Sequence, residues 1–356
     1  MQKTLINELK EKDVKAEILS YNLDPFYWPV LFPLKFTPTM KWESLEGELG
    51  APVAGDVVSW DSRAPRKTRK VISKLSGDVP KISLGRDMSE SDLNKLGLLR
   101  HYASTDEGAK ALIDFVYEDI EFVWTGVNAR LEWLALRAAS IGKIVLSAQN
   151  NDGVVTENNV DFKIPTNQKK GAAKAWSDPT SDPIAEIKSI VKGAKGYKLP
   201  YAFTDQSVID SLLIHPKVVD YVAPWLMRAA GITDRPTIAT LNKALLEDKL
   251  PQLAIIDAEI TIEVKGVQVE VNPWEEGVIA FVPARVLGNT WWGPLAENLV
   301  TTSKAMRITR EHMMIKKFST EEPLSESTIG ISNSFPALAN AGRTWLLDTK
   351  NTTWNK

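Results

Sequence analysis

Residues 104–140 read STDEGAKALIDFVYEDIEFVWTGVNARLEWLALRAAS. No proline interrupts them. Apolar side chains recur at Leu112, Val116, Ile120, Val123, Val127, Leu131, Leu134 and Ala138, steps of three or four that align one stripe on a helix face. Ser104 and Glu107 have the Ser-x-x-Glu spacing of a capping box, and Asp106 adds negative charge at the positive end of the helix dipole. The pattern predicts one continuous helix of roughly ten turns, about 50 Å long. Gly126 in its middle costs about 1 kcal/mol relative to alanine, too little to end it. Asp114, Glu118 and Glu121 fall on the face away from the stripe. A coiled coil would need a strict heptad and a second helix of matching length, and the sequence supplies neither. The rest of the chain is short strand and turn patterns, so the predicted fold class is α+β, one long helix packed on an extended sheet.

Among its 356 residues the chain carries Lys+Arg 43 against Asp+Glu 45, a formal net charge of -2. Nothing in that balance draws the whole molecule toward nucleic acid or an anionic membrane. The absence of cysteine excludes disulfides, thiolate catalysis and cysteine–zinc sites. No run approaches the ~20 apolar residues of a membrane span, and Met1–Ile18 lacks the apolar core of a signal peptide. The expectation is synthesis in a cytoplasm, with no membrane partner. Twelve tryptophans beside three histidines point to packing and interfaces before catalysis.

Residues 1–20 predict a short charged helix with no core-facing side, supported by Glu8 with Lys12 and Glu11 with Lys15. Asn22–Pro38 is apolar but broken by Pro25, Pro29, Pro33 and Pro38, which predicts an extended arm seeking a partner surface. Segments 57–60 and 71–74 flank a basic centre, Arg63–Lys70, and predict a long hairpin over 51–86 that is marginal on its own. A second hairpin is predicted from 143–148 and 160–164, and residues 168–181 form a loop. Asp182-Pro183 starts a helix ending near Gly193 or Gly196, Leu199–Phe203 is a strand, Asp205 caps a helix through Leu213, and His215-Pro216 opens another. A helix at 236–247, a strand at 253–256, a hairpin of 260–264 with 267–271 around Lys265-Gly266, and a buried strand at 277–283 follow. Strands at 313–318, 328–332 and 344–347 return to the sheet beside the long helix. Subdomain boundaries are expected near 182 and 301.

The chemistry-bearing motifs are missing. Gly193-Ala194-Lys195-Gly196 has the wrong spacing for a phosphate loop, and Gly330-Ile331-Ser332-Asn333-Ser334 lacks the second glycine of a nucleophile elbow. His101, His215 and His312 stand alone, and Glu275-Glu276 and Glu321-Glu322 read as solvated turns. No catalytic residue, cofactor or metal ligand is assigned. Trp291-Trp292 reads as a loop whose rings serve an interface or core plug, with a sugar-stacking platform as the alternative.

Six segments, taken in order, carry a family resemblance. They are Leu23-Asp24-Pro25-Phe26, Pro52-Val53-Ala54-Gly55-Asp56-Val57, Trp176-Ser177-Asp178-Pro179, Phe203-Thr204-Asp205 leading to Ser211-Leu212-Leu213, Pro273-Trp274 with Gly277, and Val286-Leu287-Gly288-Asn289-Thr290. Arranged around one long helix, they resemble the tailed-phage major capsid protein E family, related to the lambda coat protein, over most of the chain. The resemblance implies the Hong Kong 97-type capsid fold, shared with encapsulins and herpesviruses. It also implies an N-terminal arm (1–50), an extended loop (51–86), a peripheral domain (87–181) with its spine helix (104–140), an axial domain (182–300) and return strands (301–356). The implied function is the head shell of a tailed bacteriophage, a non-enzyme that joins copies of itself into hexamers and pentamers. It would be assembled in host cytoplasm and reside in the virion, enclosing double-stranded DNA without sequence-specific binding. The further partners implied are scaffolding, portal and decoration proteins. The rival readings are an encapsulin-type compartment and, from another class, a tryptophan-rich carbohydrate-binding or glycan-cleaving protein.

Charge gives the expected contact residues. Residues 59–74 include Arg63, Arg66, Lys67, Arg69 and Lys70 and carry a net +5, while residues 105–122, with Asp114, Glu118 and Glu121, carry a net -5. In the resembled fold the extended loop lies across an adjacent subunit, so the basic hairpin is expected to dock on a neighbour's acidic helix face. A solvated loop and contact with DNA phosphates are the alternatives.

Overall fold

A computed structural model describes residues 4–6, 9–45, 74–152, 159–230, 236–300 and 305–356. Before the long helix come α1 (Glu11–Ser20), the single-turn α2 (Trp28–Leu31), β1 (Leu34–Phe36), β2 (Lys41–Leu45), β3 (Lys74–Asp78), β4 (Lys81–Met88) and α3 (Glu90–Tyr102). The long helix is α4, Asp106–Ile141, 36 residues without a break. After it come β5 (Lys143–Ile144), β6 (Val160–Asp161), β7 (Lys169–Gly171), α5 (Pro183–Gly193), β8 (Tyr201–Thr204), α6 (Gln206–Ile214), α7 (Pro216–Ala230) and α8 (Ile238–Glu247). Next are β9 (Gln252–Ile255), β10 (Ile260–Val264), β11 (Val267–Val271), β12 (Val278–Val282), β13 (Gly288–Trp292), α9 (Ala296–Leu299), β14 (Met306–Arg310), β15 (Met313–Glu321), β16 (Leu324–Leu338) and β17 (Trp345–Asp348).

The first of two large sheets runs β1-β13-β16-β15-β14, with β4 also on β16. The 15-residue β16 is its backbone: one edge carries β15, and the other is shared between β4 and β13. Helix α4 crosses this sheet because its stripe is apolar where the sheet is apolar. Val116, Ile120, Val123 and Val127 are buried with Met306, Ile308, Met313 and Ile315, and farther along Leu131, Leu134 and Ala138 join Phe335, Ala337 and Leu338. The approach is close enough that a Cβ at Gly330 would lie 2.9 Å from the carbonyl oxygen of Val123, so only glycine lets helix and strand meet there. The second sheet, β7-β17-β12-β8-β9, is centred on β12, all five of whose residues are buried. Helices α5 to α8 pack on it through Ile187, Ile190, Ile209, Leu212, Val222 and Leu241.

Local chemistry sets the element ends. Thr105, one residue after the predicted Ser104, caps α4: its hydroxyl accepts the N–H of Gly108 at 3.1 Å. Gly142, at φ 70, ends the helix in the left-handed conformation. Asp182 caps α5 through the N–H of Ala185 at 3.0 Å, as its Asp-Pro start predicts. Asp205 does not cap α6; its carboxylate takes the N–H of Gly277 at 3.2 Å and the hydroxyl of Ser207, tying β8 to the turn before β12. The hairpin at 260–271 has its predicted register, Val264 opposite Val267 across Lys265-Gly266, and both turn residues have positive φ. Trp291 and Trp292, expected in a loop, lie in β13, with Lys35 4.3 Å from the Trp291 ring centre and Phe36 4.8 Å from that of Trp292.

The N-terminal expectations are overturned. Ile6, Leu9, Val14 and Ile18 are buried against Val116, Ile120 and Trp124 of α4, so the first twenty residues do have a core-facing side. Thr4 and the N–H of Leu5 bond the fully buried Glu326 of β16, and Arg310 reaches the carbonyl of Tyr21 at 2.7 Å. Residues 22–38 are not a free arm either. Trp28 and Phe32 are 0% exposed, the N–H groups of Tyr27 and Trp28 bond Glu132 of α4 at 3.0 and 2.7 Å, and β1 pairs in parallel with β13. Prolines forbid a long helix there but permit one turn, with Pro29 near its start, and a short edge strand.

The predicted hairpin over 51–86 is only partly described, since residues 46–73, which include Arg63, Arg66, Lys67, Arg69 and Lys70, lie outside the described residues. Its base is an antiparallel ladder of β2 with β3, from Lys41 opposite Asp78 to Leu45 opposite Lys74, so the ladder starts earlier in the chain than expected. Residues 81–86 belong to β4 and the first sheet. Of the last strands, β15 and β16 lie beside α4 as expected, β14 is an additional strand at the sheet's edge, and β17 joins the second sheet.

Trp28→Ala is expected to cost about 3–5 kcal/mol, read from the denaturant midpoint of the isolated subunit, and deletion of 1–38 to give insoluble protein. A soluble truncated subunit with an unchanged midpoint would contradict this burial. A pH effect is also expected from Glu132. Burial pushes its carboxyl up to about 7, against the pull of the two N–H donors. The folded chain therefore holds this proton more tightly than the unfolded chain, and the associated stability is complete below about 4.5 and lost as pH rises through about 7. Midpoints measured across that interval should fall more steeply in the native protein than in Glu132→Gln.

Candidate subunit interface

Helix α4 divides into two environments. From Val127 to Ile141 it is largely buried, while in the first half Asp114, Glu118 and Glu121 face solvent together with the apolar Ile113 and Phe122. The predicted acidic face therefore exists as a surface, but its three carboxylates are not equivalent. Arg86 of β4 reaches up beside the helix, its Nη1 2.9 Å from Glu118, its Nε 3.4 Å from Asp119 and its guanidinium 5.1 Å from the Phe122 ring centre. Glu118 thus has a partner within its own chain. Among the described residues no ion pair reaches Asp114 or Glu121.

Beneath this face Asp119 is buried, and burial raises its carboxyl against the opposing pull of Lys317 and Arg86. Lys317, also buried, is pulled down by desolvation and donates to Thr328 Oγ1 at 2.7 Å. Arg86, Asp119 and Lys317 come from three segments with no spacing rule between them, which is why the sequence did not give the group away.

The β2–β3 ladder is anchored elsewhere. Trp42 of β2 is buried with its ring centre 5.2 Å from that of Phe335 and 5.9 Å from that of Phe162, and the Ser44 hydroxyl donates to the carbonyl of Leu338.

The other sites considered from sequence are structural. His312 lies buried beside Trp28 and Trp124 with Nε2 3.2 Å from Asn128 Oδ1, and burial depresses it to about 4. His215 sits 3.0 Å from the Ser181 hydroxyl, and His101 is exposed beside Tyr102. Glu275 and Glu276, expected to be merely solvated, form ion pairs: Glu275 with Arg137 and Lys356, Glu276 with Lys350. The described residues contain no cluster of three side chains able to hold a metal, and no helix among them is long and apolar enough to cross a membrane. What the described surface offers is contact: a charged helix face and exposed apolar strand residues such as Val267 and Val269.

Comparison with known proteins agrees. The family model for phage major capsid protein E matches residues 37–287. A crystal structure described as a prophage capsid protein from Escherichia coli CFT073 superposes with a TM-score of 0.59 at 15% identity, covering 96% of this chain and 99% of that one. A phage-related protein from Bordetella bronchiseptica RB50 superposes with a TM-score of 0.51 at 13% identity, covering 98% of each. No curated protein sequence matches the chain. The capsid fold implied by the six sequence segments is the fold observed. With that family model spanning most of its length, the chain belongs to the phage major capsid protein E family, the structural proteins of bacteriophage capsids.

Proposed function

We propose that this protein builds the head shell of a tailed bacteriophage, its copies closing as hexamers and pentamers into an icosahedral wall around double-stranded DNA. The family match over residues 37–287 carries the reading. The chain works by association, not catalysis. A net charge of -2 suits a wall that contains DNA without gripping it through many phosphate contacts. In this reading the first sheet with α4 is the peripheral domain, the second sheet with α5 to α8 is the axial domain, and the extended loop falls within residues 51–86. Assembly takes place in the host cytoplasm, where scaffolding, portal and decoration proteins join, and the product resides in the virion. An encapsulin-type shell would package protein cargo instead. Electron microscopy of particles made during infection separates the two: closed heads filled with DNA are expected, and cargo-filled shells lacking DNA would overturn the reading.

The contact we assign to the loop is a neighbour's acidic helix face. Arg63, Arg66, Lys67, Arg69 and Lys70 supply its positive charge, and Asp114 and Glu121 receive it, with Glu118 already engaged by Arg86. Each exposed pair contributes only about 0.2–1 kcal/mol and is screened beyond roughly 8 Å at physiological salt. Repetition around every capsomer makes the sum count. Reversing Arg66, Arg69 and Lys70 to glutamate is expected to block shell closure, and adding Asp114→Lys and Glu121→Lys to the same chain to restore it in part. Folded subunits that show no rescue would point to a solvated loop or a DNA contact.

A further inference from the structure

The hairpin of β10 and β11 stands outside both large sheets. Its register pairs Ile260 with Val271, Ile262 with Val269 and Val264 with Val267, so six β-branched side chains share one face. Half of that face is covered. Ile260 and Ile262 are buried within the core beside α4, whereas Val267 and Val269 are 63% and 52% exposed and overhang a groove floored by Trp133 and Arg137.

Among the described residues no strand covers the outer edge of β11. The two-residue turn makes Val264 and Val267 a pair that exchanges backbone hydrogen bonds, and the alternation repeats at Ile262–Val269 and Ile260–Val271. The N–H and C=O groups of Gln268 and Glu270 therefore point outward, where no described strand pairs with them. Elsewhere the chain closes such an edge. On β9 both backbone groups of Leu253 are taken by the side chain of Asn242, at 2.8 and 2.9 Å, and α1 lies along β14, whose Arg310 bonds its last turn. An open five-residue edge bearing three valines and no proline is a template for another strand.

We propose that β11 pairs antiparallel with β11 of a second copy of this chain, across a two-fold axis at Val269. The strand is complementary to itself in that register. Gln268 then exchanges backbone bonds with Glu270 of the partner subunit, and Glu270 with Gln268 of the partner subunit, so every outward group is satisfied. The amide faces the carboxylate, and the valines of both copies extend one apolar face over the groove. Shifting the axis to Glu270 would oppose two like charges, and shifting it to Gln268 would oppose Glu270 with Gly266, which has the left-handed φ of the turn. A contact of this kind is isologous, as closed shells require at their two-fold axes.

The proposal rests on the self-assembling reading of the chain, and its test is independent of what the shell encloses. Because the sequence has no cysteine, Val269→Cys introduces a single thiol. Opposite residues at a non-hydrogen-bonded antiparallel position lie about 4.5 Å apart at Cα, within the disulfide range of about 4.4–6.8 Å. Oxidised particles of this variant should run as a dimer on a non-reducing denaturing gel. Val267→Cys and Val271→Cys, each about 13 Å from its own symmetry mate along the strand, should stay monomeric alone and link only when the two variants are mixed before assembly. Equal linking of all three single variants, or no linking of Val269→Cys, would overturn the proposal whether or not the introduced thiol is shielded from a maleimide. A shielded but unlinked thiol would mean that something else covers the edge. Closed shells without the link would sink this contact and leave the shell reading standing.

Discussion

The carboxylate of Glu132 lies on the inner half of α4 with its residue 1% exposed, and what it requires organises the first forty residues. A buried carboxylate is costly to keep charged, and two backbone N–H groups at the start of α2 offset part of that cost. One turn away Asn128 Oδ1 meets His312 Nε2 at 3.2 Å, and the Trp28 ring packs edge-on against that imidazole. Helix, sheet and N-terminal segment are therefore bound by buried polar contacts as well as by apolar area. The segment 22–38 is a structural component of the subunit.

The same helix then serves two purposes along its length. Its buried half joins the two sheets through a continuous core that includes Leu131, Leu134, Ala280 and Leu346. Its exposed half presents charge to the outside, moderated by an arginine from the sheet below. At 15% identity to a structure of the same fold, few of these side chains need be particular ones. What the architecture requires is a stripe of suitable volume and a glycine where helix and strand meet, and many sequences satisfy that.

Helix α4 and the 260–271 hairpin were readable in the sequence because their signals are local: a 3.6-residue period in one case, and alternation around Lys265-Gly266 in the other. The acidic face was readable for the same reason. The N-terminal segment was not, because the surfaces that bury Ile6, Val14 and Trp28 come from α4 and from strands some three hundred residues later, and its prolines and charges locally describe a linker. The ladder of β2 and β3 was missed because its two strands lie on either side of a long excursion, and a pairing across that distance leaves no pattern in either. Arg86, which alters the acidic face most, sits in an ordinary-looking strand, and only the fold brings it to Glu118 and Asp119.

The bond between Thr4 and Glu326 has a consequence in time. A ribosome adds roughly 5–20 residues per second, so on the order of half a minute separates emergence of the first residues from emergence of the strand that receives them. Throughout that interval Thr4 and Leu5 lack the carboxylate that receives them, although α4, which covers Ile6 and Val14, has already emerged, and the first sheet lacks its central strand. Completion of the first sheet is thus deferred to the end of translation. A chain released early lacks β16 and with it the Glu326 carboxylate that holds Thr4 and Leu5, so it cannot complete the first sheet.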